Sequence, residues 1–296
     1  MPGLWAVFTI IAAAGQVLRN VQQKELTTSL GTVGATHVRF LFGLPFGVLF
    51  LAIVTAATGL SIPHLSATAF AWTVTGALTQ IGATALLLSA MRDRSFVVAT
   101  TYAKTEAMQV AVFGLLFLGD RVTLATAAAI AIATIGVLLM SWPRTTGGEV
   151  FTWRPALLGL ASGALFAVAA IGFRGAIRAL ETPSFVVAAS TILAFGLFIQ
   201  TVVLSAYLSV FDRKTLMEIF RLWRPSMLAG FTGAFASQMW YLAFALETAA
   251  KVRTLALIEI PMAQLLSRNL FKQTLASREA IGIALIVLGV MVLLNA

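Results

Sequence analysis

The chain has 296 residues, of which 59% are hydrophobic and 10% charged, with a formal net charge of +9. Soluble domains carry roughly a quarter charged residues, so this composition excludes an ordinary soluble enzyme and points to an integral membrane protein. Cysteine is absent, which excludes disulfides, a thiol nucleophile and thiolate metal sites.

A helix needs ~20 mostly apolar residues to cross a bilayer. Ten stretches reach that length: 4–22, 31–58, 67–91, 96–117, 122–141, 155–180, 184–207, 225–246, 251–271 and 275–295. The start, Met1-Pro2-Gly3-Leu4, lacks the basic flank and small-residue cleavage site of a signal peptide. The first stretch is therefore expected to be retained. Most links are short: 24–30 joins the first two stretches, and Arg92-Asp93-Arg94-Ser95 forms a tight turn. The link 142–154 holds Pro143 and Gly147-Gly148 and reads as the hinge between two halves. The link 208–224 alternates Phe211, Leu216, Ile219, Phe220 and Trp223 with Arg213, Lys214, Arg221 and Arg224. That pattern predicts a short amphipathic helix lying at the membrane interface.

Residues 96–140 recur 153 positions later at 249–293. Glu106 then falls on Glu259, Gly136 on Gly289, and Leu118-Gly119-Asp120-Arg121 on Phe271-Lys272-Gln273-Thr274. Arg19 and Arg174 correspond at an offset of 155. A period of half the chain marks two fused, related halves. Five spans per half is an odd number, so the second half must enter from the opposite side. The expected fold is all-α and polytopic, with ten transmembrane helices as two inverted five-helix repeats. The repeats would cover 1–141 and 155–296, with 142–154 as linker.

Charges near the bilayer centre cost a few kcal/mol and should face the bundle interior or a wet cavity. Candidates are Arg19, Arg39, Lys104, Glu106, Arg174, Glu259 and Arg268, with Gln16, Gln80, Gln109, Gln200, Gln238 and Gln264 as neutral company. Glu106 and Glu259 take equivalent positions and should face each other. Two roles fit them: gates or proton carriers, or structural carboxylates each satisfied by an arginine. Pro261, two residues past Glu259, is expected to kink its helix. Lys104 precedes Glu106 by two residues, so an unbroken helix would point them to opposite sides. Arg39 and Lys104 are the expected solute contacts, held against snorkelling to an interface for Lys104. Gln80, Gln109 and Gln238 are expected to line the cavity, as are Trp240 and Tyr241. Trp240 and Phe244 share one face of the eighth span, Gln238 and Tyr241 another. Surplus positive charge suits an anionic or carboxylate-bearing solute. Gly43–Gly47 and Gly159–Gly163 have spacing for close helix contact, within one chain or in a homodimer.

The chain resembles the drug/metabolite transporter superfamily, in particular its EamA-like branch. Arg39-Phe40, the Gly119-Asp120-Arg121 break, and Glu259-Ile260-Pro261 look like that family's Arg-Phe, Gly-Glu-Arg and Glu-Pro signatures. Two positions depart from it. Ala107 follows Glu106 where proline is usual, and Lys272-Gln273-Thr274 replaces a second Gly-Glu-Arg. The resemblance covers nearly the whole chain. It implies a multi-pass secondary exporter or exchanger of a small polar metabolite in the plasma (inner) membrane, with no cofactor. A lipid flippase or accessory membrane subunit of the same fold is the alternative.

His37 and His64 have no ligand partner at metal spacing, and there is neither a Gly-x-Ser-x-Gly elbow nor a P-loop lysine. An enzyme, a metal site and ATP-driven transport are therefore not expected. Nor is nucleic-acid binding, since no basic cluster is present. Lys and Arg are concentrated in the odd-numbered links. The positive-inside rule then places both termini outside, whereas the resemblance implies termini inside. The charge count is preferred here, because all the links are short.

Overall fold

The structure is a computed structural model, described here for residues 3–93, 102–140, 153–260 and 277–295. Among these the regular structure is helical throughout, with no strand. Four helical stretches are long and apolar enough to cross a membrane: Leu4–Thr58, Ala67–Met91, Leu157–Arg178 and Phe185–Phe211. Shorter apolar helices run through Glu106–Leu118, Leu124–Leu139 and Ala280–Leu294.

Helix α1 (Leu4–Leu41) is two helices joined at Gly31, where φ is 66° and ψ −177°. Only glycine takes such a conformation without strain, and the chain doubles back there. Residues 23 and 35 would lie about 18 Å apart along one straight helix. Instead Gln23 Nε2 donates to the Ala35 carbonyl at 3.1 Å, so 4–30 and 32–41 run antiparallel. The expected loop 24–30 is thus helical. The helix runs on past residue 22 although the sequence turns polar there, and Thr27 and Thr28 donate back to the Lys24 and Glu25 carbonyls. After a break at Phe42-Gly43 the second span continues as α2 (Leu44–Thr58), with Pro45 in its first turn, where no N–H is missed.

Helix α3 (Ala67–Asp93) is followed by α4 (Glu106–Leu118), which closes on Gly119 at φ 63°. Both Gly119 and Asp120 donate their N–H to the Gly114 carbonyl, the left-handed cap that glycine favours. Next come α5 (Leu124–Met140), α6 (Trp153–Arg178) and α7 (Phe185–Phe211). Helix α8 (Arg213–Arg221) is the short amphipathic helix expected from 208–224, capped by Asp212. Its Ile219 is buried, while Met217, Phe220 and the adjoining Trp223 are exposed. Helices α9 (Trp223–Leu246), α10 (Ala249–Leu255, running on as a 3₁₀ turn over Ala256–Ile258) and α11 (Ser277–Leu294) complete the chain.

The longest packed seams are α3 against α6, α1 against α9, and α5 against α11. Each rests on small residues. A Cβ on Gly172 would lie 2.8 Å from the Gly76 nitrogen, one on Gly15 3.1 Å from Ala236 Cβ, and one on Gly136 2.6 Å from the Gly282 carbonyl oxygen. Close backbone approach of this kind is how helices associate where lipid removes the hydrophobic drive between them. Gly47 faces Leu197 and Gly163 faces Ala103, so both small-residue motifs serve contacts within the chain. Large apolar side chains such as Val48, Ile53, Leu116 and Phe117 lie on the outside. Alanines, threonines, glutamines and arginines fill much of the inside.

Candidate functional site

The site grows from an interruption in the fourth span. Lys104 and Thr105 form a turn between Tyr102-Ala103 and α4, and Ala107 and Met108 bond back only three residues, to the Lys104 and Thr105 carbonyls. Because the helix is not continuous here, Lys104 and Glu106 both line one pocket. The expectation of opposite faces assumed an unbroken α-helix and is corrected on that ground. Helix α1 adds Gln16, Arg19 and Asn20 to the lining, and α10 adds Arg253. Leu87, Ala103 and Phe166 give the pocket an apolar wall.

Two ion pairs cross between the halves beside this pocket. Lys104 Nζ is paired with Glu259 Oε1. Arg253 Nε lies 2.9 Å from Glu106 Oε1. That N–H is not aimed at the oxygen, so this second contact is a meeting of charges rather than an aligned hydrogen bond. All four side chains are close to nine-tenths buried. In each pair one charge comes from the first half of the chain and the other from the second. The guanidinium carbon of Arg253 also sits 4.2 Å from the Trp240 ring centroid and 5.3 Å from that of Phe244. The shared face of Trp240 and Phe244, stacked at 22°, is thus a platform for a cation.

A second charged cluster closes one end of the bundle. Asp120, presented by the Gly119 cap, receives Arg174 Nε at 3.3 Å and Nη2 at 3.1 Å. Arg174 Nη1 donates to the Phe244 and Glu247 carbonyls at 2.8 and 2.6 Å, satisfying the C-terminus of α9. Arg178 approaches Asp120 at 3.4 Å from a half-exposed position.

The remaining expected site residues are placed as follows. Arg39 is 2% exposed, donates to Thr84 Oγ1 and Ser237 Oγ, and is not among the residues lining the pocket. Gln80 accepts from Gln200, and Gln238 donates to Ser190. Gln109 donates to Thr105, next to Lys104. Tyr241 packs on Phe173 with ring centroids 4.7 Å apart. Pro261, Gln264 and Arg268 lie outside the described residues. Arg253, at the edge of the expected span 251–271, was counted with the charges of the even-numbered links rather than with the site residues, yet it is buried at the centre of the site. Its spacing on α10 carried no signal, since its partners Glu106 and Trp240 come from two other helices. Asn20 and Phe166 were not singled out either. No cluster of three or more potential metal ligands occurs among the described residues.

No protein-family model matches the chain, and no curated protein matches it. A solved crystal structure of another protein aligns with it at a TM-score of 0.68, covering 98% of this chain and 95% of the other, at 17% identity. At that identity the likeness shows a shared fold and carries nothing about function.

Proposed function

We propose that the chain is a secondary transporter of a small polar metabolite, working by alternating access between two inverted five-helix halves in the plasma membrane. The observation that carries this reading is the crossed arrangement of Glu106 with Arg253 and Glu259 with Lys104 at the pocket. Each carboxylate is held by a cation from the opposite half. The two halves can part at this level only by releasing buried charge, which requires a replacement partner: a proton or a charged solute. Such a coupling of occupancy to separation is what a carrier needs.

The packing pattern supports the duplication behind this reading. Exchanging the halves turns the seam of α3 with α6 into the seam of α9 with the first part of α1. It returns the α5–α11 and α2–α7 seams to themselves. Gly136 and Gly289, equivalent in sequence, both sit on the α5–α11 seam, where a Cβ added at either would lie within 3 Å of facing backbone.

The test is uptake of labelled amino acids, organic acids and cationic dyes into proteoliposomes, with and without an imposed pH gradient. The reading expects at least one carboxylate-bearing solute to move, and Glu259→Gln to remove the gradient dependence. If nothing moves in vesicles holding monodisperse, folded protein, the transporter reading is wrong. Lipid scrambling by the same vesicles would then point to the flippase alternative.

A further inference from the structure

Among the described residues, three cations line the pocket, Arg19, Lys104 and Arg253. Glu106 is taken by Arg253 and Glu259 by Lys104, which leaves Arg19 as the lining cation in no ion pair with a described carboxylate. That arginine is 2% exposed and lines the pocket. The hydrogen-bond partner of its guanidinium is a neutral one, the side-chain oxygen of its neighbour Asn20. Nε donates to Asn20 Oδ1 at 3.2 Å and Nη2 to the same oxygen at 2.7 Å. This Nε/Nη2 edge is the fork that matches the two oxygens of a carboxylate. Here a single amide oxygen fills it.

The sequence repeat explains why Arg19 differs from its counterpart. Arg174, at the corresponding position, has its own Nε/Nη2 edge occupied by both oxygens of Asp120. Asp120 corresponds in sequence to Gln273, an uncharged residue. The first half therefore supplies the second half's arginine, Arg174, with a resident carboxylate. The second half has no acid at the matching position, and the first half's Arg19 faces a cavity.

We propose that Arg19 binds the carboxylate of the transported solute, which displaces Asn20 Oδ1 and takes both N–H groups of the fork. The solute class is a small monocarboxylate. A single carboxylate fills the Arg19 fork while the two ion pairs stay intact, and the wall of Leu87, Ala103 and Phe166 faces an apolar remainder. This inference rests on the transporter reading of the same pocket, and it moves the solute contact from Arg39 to Arg19.

The test uses the purified full chain and two probes of equal shape, 4-methylpentanoate and its neutral amide, titrated calorimetrically in nanodiscs. The carboxylate is expected to bind saturably and the amide not. Arg19→Gln should weaken carboxylate binding roughly 10- to 100-fold, the loss of a charge-assisted hydrogen-bonded pair. Arg19→Lys keeps the charge without the fork and should fall between. Asn20→Ala removes only the competing oxygen, so it should bind as tightly as the wild type or more tightly; this variant serves if Arg19→Gln does not fold. Equal binding of the amide, no binding of the carboxylate by folded wild type, unchanged affinity in Arg19→Gln, or lost binding in Asn20→Ala would each overturn the assignment. Labelled 4-methylpentanoate in proteoliposomes separates the two readings. Binding without transport removes the transporter and keeps the site; transport at the wild-type rate by Arg19→Gln does the reverse.

Discussion

Removing Arg174 should cost the protein more than removing the charge it is paired with. Arg174→Met deletes four hydrogen bonds: two to Asp120, at 3.3 and 3.1 Å, and two to the α9 carbonyls, at 2.8 and 2.6 Å. It leaves the Asp120 carboxylate, 8% exposed, with only the half-exposed Arg178 at 3.4 Å. Orphaning one member of a buried pair costs about 3–5 kcal/mol. Asp120→Asn keeps the shape, removes the charge and spares both carbonyl bonds, so about 1–2 kcal/mol is expected. The double variant has no orphaned carboxylate and should fall short of the sum by roughly 1–3 kcal/mol. Reversible unfolding of the four proteins in mixed micelles, followed by circular dichroism, gives the cycle. Additive losses, or an Asp120→Asn variant as unstable as Arg174→Met, would refute the argument that Arg174 is a shared partner of Asp120 and the α9 terminus.

Other expectations follow from single features. A valine at Gly136 or at Gly289 must push against facing backbone within 3 Å, so each should lose roughly 1–3 kcal/mol by overpacking in the same unfolding assay; a neutral result at one position only would contradict an equivalent role in the α5–α11 seam. Asp212 caps α8 through the Thr215 N–H and hydroxyl, which hold its carboxyl below the ordinary aspartate value. A depressed folded value means the cap is present above the ordinary aspartate value and lost as pH falls through the lower, folded one. Amide exchange in α8, relative to the intrinsic rate, should therefore rise only at strongly acidic pH, and Asp212→Ala should raise it at all higher pH and leave it unchanged where the wild-type carboxyl is protonated. Recounted with Arg253 buried, the loops on the side of the termini are poorer still in Lys and Arg. Single cysteines at Ser61 and Lys214, both exposed, should react with an impermeant maleimide in intact cells at Ser61 only; the opposite pattern would reverse the orientation.

Much of the backbone was readable because lipid imposes a one-dimensional rule. Every spanning segment must be a helix of about the same length, so runs of apolar residues predicted most helix ends to within a few residues. The break at Gly119 was legible, since glycine ends a run there, whereas the turn expected at 24–30 is helical and the chain doubles back at Gly31. The failures lie at charged residues near span ends. Arg253 stands two residues inside the expected span 251–271, beside the polar break, where hydropathy does not separate a buried charge from a link charge. Arg39, expected to meet the solute, is buried as its sequence position implied, and Thr84 and Ser237, from two other helices, accept from its guanidinium.

The sequence by itself led to a helical chain with apolar segments long enough to cross a membrane, and to the expectation of two related halves. Those properties follow from local runs and from comparison of the chain with itself. Which charges meet was decided only by the tertiary structure. Glu106 finds Arg253, Glu259 finds Lys104, Asp120 finds Arg174, and Arg19 is left facing the pocket. Each ion pair joins residues far apart in the chain, brought together by helix seams of glycine and alanine. In a low-dielectric interior a charge is stabilised by whatever lies within a few ångströms, not by its neighbours in sequence.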